Sequence, residues 1–251
     1  MIFKGFQMKK VGLCLLVFLF LAAPGLALAS TTSDVGGATV EQGKQIAEVR
    51  FGFSEDESSS SHDERLRMRV HYDRGLTDFY AIRFVVAGDK RKDDSLEMES
   101  LGIENRFYLL RAKEHGFDLG LRLNYTYRDG DKKPDTVSVR MYQQIPLDKT
   151  EIRFNEIFDH EVGEDATGGV LFTLGSQVTR ALPGNRRLGI EMFNILGRLN
   201  DLSGYEAQDH SIGPVLKGKF GNGFSYETAY RAGISSGAAD HNFRLMFTKN
   251  F

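Results

Sequence analysis

The chain has 251 residues, a formal net charge of −2 at pH 7, no tryptophan and a single cysteine. Near-neutral charge argues against a nucleic-acid partner, and the lone Cys14 excludes a disulfide framework and a thiolate metal site. Beyond the first thirty residues no apolar run is long enough for a spanning helix, so membrane insertion of that part requires strands.

In chain order, a secretory signal peptide comes first, over residues 1–29. Basic Met8-Lys9-Lys10 precedes an apolar run over 11–23, a Pro24-Gly25 break, and the small-residue site Ala27-Leu28-Ala29 before Ser30. The run is shorter than the roughly 20 residues of a spanning anchor. Residues 30–45 are small, polar and glycine-containing, which predicts a flexible periplasmic lead.

From 46 to 251 the chain divides into segments that alternate apolar and polar residues with period two, most near the roughly 9–11 residues of a tilted membrane strand. Leu66, Met68, Val70 and Tyr72 alternate with Arg65, Arg67, Arg69 and His71. Phe117, Leu119, Leu121, Leu123, Tyr125 and Tyr127 oppose Asp118, Gly120, Arg122, Asn124 and Thr126, and Phe224, Tyr226, Thr228 and Tyr230 oppose Ser225, Glu227, Ala229 and Arg231. The connections alternate too. Longer polar loops fall at 54–64, 88–95, 129–135, 159–168, 197–209 and 235–240, and tight turns near 74–78, 113–116, 146–150, 182–186 and 221–223. Outer-membrane barrels place short turns in the periplasm and long loops outside, and with both termini periplasmic the strand number is even. The expected fold is therefore all-β: an antiparallel, up-and-down transmembrane β-barrel of about twelve strands. A soluble periplasmic β-sandwich is the alternative fold, since it too would bury the apolar face of each strand.

At the end of the chain Phe243, Leu245, Phe247 and the terminal Phe251 share one face while Asn242, Arg244, Met246 and Thr248 share the other. This strand resembles the last strand of bacterial outer-membrane proteins, which ends in Phe and alternates in this way. The resemblance implies the outer membrane of a Gram-negative bacterium, with Phe243, Leu245, Phe247 and Phe251 as the signal read by the barrel-assembly machinery. Outer-membrane lipid and lipopolysaccharide would then be the surroundings of the barrel.

Taking each strand's polar face as the lumen, Arg50, Arg65, Arg67, Arg69, Arg83, Arg106, Arg122, Arg140, Arg153, Lys217, Lys219, Arg231 and Arg244 point inward, against the acids Glu48, Glu104, Asp118, Glu191 and Glu227. Fixed positive charge in a narrow lumen favours anions over cations, so the expected function is a small porin-like channel for anionic solutes. The opposing reading is a closed barrel with a structural or surface-interaction role, whose arginines pair with acids and backbone carbonyls. Arg65, Arg67 and Arg69 point most strongly to a ligand, because like charges at spacing two repel unless neighbouring strands or a ligand compensate. In size, strand rhythm and arginine distribution the chain is similar to the oligogalacturonate-specific porins, a resemblance without a diagnostic motif that carries over no binding residue.

Enzymatic and metal chemistry have weaker sequence support. His160 between Asp159 and Glu161, and His210 before Ser211, are the places that suggest a rim hydrolase, and neither lies in a hydrolase motif. Acidic loop pieces such as His62-Asp63-Glu64 and Asp240-His241 lack the spacing of a calcium hand or zinc helix. No catalytic residue, metal ligand or cofactor is assigned.

Overall fold

The computed structural model describes residues 31–57, 62–128, 133–202 and 204–251. The expected signal peptide and the serine run at 58–61 lie outside the described residues. Strands β1 (Gln45–Glu55), β2 (Arg65–Gly75), β3 (Tyr80–Lys90) and β4 (Glu97–Leu110) lead through a one-turn helix α1 (Ala112–His115) into β5 (Asp118–Arg128), β6 (Asp135–Leu147), β7 (Thr150–Val162), β8 (Leu171–Leu182) and β9 (Arg186–Arg198). After the two-residue β10 (Asp201–Leu202) and a 3-10 turn (Tyr205–Ala207) come β11 (Asp209–Gly221), β12 (Phe224–Gly233) and β13 (His241–Asn250).

Every pairing is antiparallel. β10 only extends β9 beyond the wall, and β9 pairs onward with β11, so twelve of the thirteen strands among the described residues form the wall. β13 closes on β1 in continuous register from Ile46 opposite Asn250 to Glu55 opposite His241. Closure removes the exposed edges an open sheet of this size would carry.

The period-two pattern sorts the side chains. Phe51, Phe53, Val70, Tyr72, Phe84, Val86, Leu123, Tyr125, Phe243, Leu245 and Phe247 are exposed on the outer face, while Arg50, Arg65, Glu104, Arg122, Glu191, Arg231 and Arg244 are buried on the inner one. A soluble domain of two layers would bury the apolar face and expose the charged one. This barrel does the reverse, as a lipid-embedded wall requires.

The expected alternation of connections also holds. Short turns join β2–β3, β6–β7, β8–β9 and β11–β12 at one end, with longer loops at the other; the exception is β4–β5, expected to be a tight turn, which runs through α1 and is longer than the β3–β4 loop opposite. Asp148, Asn185 and Asn222 take positive φ in three of those turns, a region that short polar side chains tolerate better than branched ones. Pro214 lies inside β11, where it pairs with Ile190 of β9 but interrupts the pairing with β12 between Ile212 and Val215. The ring has no N–H to give to that ladder.

Residues 31–44 depart from the sequence reading. They form no flexible periplasmic lead but an ordered strap inside the barrel, with Thr31, Thr32, Val35, Ala38 and Val40 all buried.

Candidate functional site

The strap turns back from β1 at the short-turn end. Gly43 N–H donates to Gly75 O and Gly75 N–H to Lys44 O, each at 2.9 Å. It then runs through the lumen antiparallel to β1 as far as Gly52, where Thr31 sits so close that a Cβ on Gly52 would lie 2.6 Å from its hydroxyl. An extended segment inside a barrel has no sheet partner, so its polar backbone groups need side chains.

The wall supplies them as guanidiniums and one amide. Arg50 donates to Thr32 O (3.4 Å), Arg244 to Ser33 O, Arg140 to Asp34 O, Arg153 to Val35 O (3.4 Å) and Arg106 to Gly37 O (3.2 Å). Asn155 accepts from Gly36 N–H at 2.7 Å and donates to Gly36 O at 3.2 Å. The Asp34 carboxylate lies 2.5 Å from Arg50 and 3.8 Å from Arg140. Val35 packs on Gly175 beside Phe193, the apolar side of an otherwise polar interior.

The basic residues read from the sequence sort along the lumen. At the loop end Arg65 holds Asp89 through two hydrogen bonds of 2.7 Å. Arg67, Lys133 (2.8 Å) and Arg128 (3.5 Å) gather on Glu99. Burial holds the Lys133 ammonium below its ordinary range, against the pull of Glu99. A cavity of ≈ 300 Å³ opens among Asp89, Arg91, Glu97, Glu99, Arg128 and Lys133.

In the middle, fully buried Glu191 accepts from both terminal nitrogens of Arg244 at 2.8 Å and lies 3.8 Å from Arg231. Glu227 takes Arg244 at 2.6 Å and Lys217 at 3.0 Å. Glu104 takes Arg122 at 3.0 Å and Arg83 at 3.4 Å. Arg231 also stacks over Phe193, 4.3 Å from its centroid.

Towards the turn end Arg83 and Arg106 share Asp73, while Arg153 pairs with Glu151 at 2.9 Å. A vestibule of ≈ 330 Å³ opens there, lined by Arg83, Arg106, Arg153, Arg187, Lys217 and Lys219, with Asp34, Glu48 and Glu227 as its acids.

Buried arginines line the inner face, with more acids than the sequence reading counts. Asp34, Asp73, Asp89 and Glu99 are added, as are the bases Arg128, Lys133 and Arg187. Asp73 was legible, because it continues the alternation of β2. Asp89 falls in the expected 88–95 loop although β3 runs to Lys90, and Asp34 belongs to the strap.

The two histidines that suggest rim chemistry, His160 and His210, serve the loops. His160 Nδ1 lies 2.9 Å from Gly169 O. His210 is held by the amide oxygens of Asn194 and Gln208, each at 2.8 Å, and stacks on Tyr205, while Ser211 is buried on the lumen side. Among the described residues no group of three His, Cys, Asp or Glu is placed to hold a metal ion.

No family model and no curated protein matches this sequence. Solved structures do match its fold. An outer-membrane channel from Pseudomonas putida F1 aligns with TM-score 0.64 at 12% identity, covering 87% of this chain and 100% of that one. The NanC porin aligns with TM-score 0.60 at 10% identity, covering 82% and 100%, and the KdgM porin with 0.58 at 9%, covering 82% and 99%. Apolar outer face, polar lumen and these likenesses agree that the chain is an outer-membrane β-barrel with the architecture of the small porins.

Proposed function

We propose that this barrel is a porin-like channel for small anionic solutes and that its N-terminal strap keeps the lumen closed in the conformation described. The strap itself carries the reading. Its Asp34 carboxylate and the carbonyls of Thr32, Ser33, Asp34, Val35 and Gly37 occupy Arg50, Arg244, Arg140, Arg153 and Arg106, as an acidic solute would. Withdrawal of the strap returns those guanidiniums to lumen water beside the basic vestibule, where they lower the barrier to anions. A KdgM porin of similar fold has been solved in complex with disordered oligogalacturonate, which supports a solute of this charge.

The competing reading is a permanently closed barrel, favoured by the pairing of Arg244 with Glu191 and Glu227. Planar-bilayer recording in a salt gradient separates the two, using the chain from residue 30 and a variant lacking 31–42, each shown to be folded by heat-modifiable migration. The channel reading expects steady anion-selective openings from the strapless barrel and few from the intact one. Silence from a folded, inserted strapless barrel would reject it in favour of the closed barrel.

A further inference from the structure

The arginine row of β2 resolves unevenly. Arg65 is neutralised by Asp89 of β3, and Arg67 by Glu99 of β4. Arg69, next on the same face, stands opposite Ala87 on β3 and Arg50 on β1, and neither offers an acceptor. It makes no hydrogen bond or ion pair among the described residues, although it is only half-buried.

The charges that act on it most strongly are Arg50, Arg67, Glu104 and Arg122. Each of these is already engaged: Arg50 by Glu48 and Asp34, Arg67 by Glu99, and Glu104 by Arg122 and Arg83. Arg122 in addition has a buried Nε with no acceptor, whereas no nitrogen of Arg69 is sealed off in this way, so its guanidinium keeps some contact with solvent.

We infer that Arg69 is the wall's half of a binding site for one small anion, a halide or a carboxylate, level with the inner end of the strap. A guanidinium keeps its charge and has five donors to satisfy. Water can accept those hydrogen bonds, but it does not offset the local surplus of guanidiniums. An anion does both, and charge-assisted hydrogen bonds are the stronger kind. The site agrees with the anion-channel reading without depending on it, because a closed barrel can hold the ion as well.

The test uses bromide as the probe. The refolded barrel is heated in detergent at constant ionic strength while bromide replaces gluconate, for wild type, Arg69→Met and, as a control for general salt effects, Lys113→Met on the exposed helix α1. A specific site raises the midpoint of heat modification with bromide concentration. That rise is expected in wild type and Lys113→Met, with bromide bound at least about tenfold more weakly in Arg69→Met, the loss that goes with removing a charged hydrogen bond.

An equal rise in all proteins, or none in wild type, overturns the proposal. Should Arg69→Met fail to fold, bromide-soaked wild-type crystals decide: an anomalous peak beside Arg69 supports the site and its absence rejects it. Bromide binding without any conductance from the strapless barrel would reject the channel and leave the site standing.

Discussion

The carbonyl oxygen of Glu41 lies where a side chain on Gly75 would begin: a Cβ there would sit 1.9 Å from it. The strap therefore enters the lumen through a gap that glycine alone provides, next to the paired hydrogen bonds between Gly75 and residues 43 and 44. Gly75→Val is expected to push the strap off the wall while leaving β2 paired with β1 and β3. Overpacking of this kind costs about 1–3 kcal/mol. The check is limited proteolysis of the folded barrel with mass analysis of the fragments. Cleavage within 31–44 in the variant and protection in wild type are expected; equal protection would mean that the strap is not anchored here.

Glu191 is the acid on which the middle of the lumen depends, since Arg244 and Arg231 both approach it and Gln177 donates to it at 3.0 Å. Glu191→Gln keeps the shape but leaves buried guanidiniums short of a counter-charge. Breaking a buried pair in this way costs about 3–5 kcal/mol. The variant should lose its compact gel form at a clearly lower temperature than wild type, and an unchanged midpoint would show that Glu227 alone suffices for Arg244.

In the vestibule the two signs of charge can be altered separately. Asp73→Asn, beside the vestibule, removes the acid shared by Arg83 and Arg106, and Lys219→Glu reverses an exposed charge that has no ion-pair partner among the described residues. In the strapless barrel Asp73→Asn should move the reversal potential towards stronger anion preference and Lys219→Glu away from it. Lys219→Glu should leave stability within about 0.5 kcal/mol, as surface substitutions usually do. If neither shifts the potential, selectivity lies elsewhere in the lumen.

Phe251 follows the last strand and is 74% exposed; its N–H donates to Gln45 O at 3.0 Å. A ring this exposed contributes little to the folded barrel, so Phe251→Ala should refold in detergent with nearly wild-type stability. If the ring is instead read during assembly, the same variant should accumulate poorly in the outer membrane of cells. Equal amounts of assembled protein in cells would argue against a role for Phe251 as a signal.

The sequence by itself determined the wall. Alternation such as Leu66, Met68, Val70 and Tyr72 against Arg65, Arg67, Arg69 and His71 sets which face meets lipid, and the rhythm of short turns and long loops sets strand number and direction, because both are local properties of an extended chain. Only the tertiary structure decided what the inner face encounters. Whether Arg65 and Arg67 find acids while Arg69 does not depends on the register of β2, β3 and β4. That Arg244 binds Ser33, 211 residues away in the chain, depends on closure of the barrel around the strap. The strap's small polar residues look like those of a flexible lead, since what orders them is a set of guanidiniums contributed by strands distant in sequence, and no local pattern records that meeting.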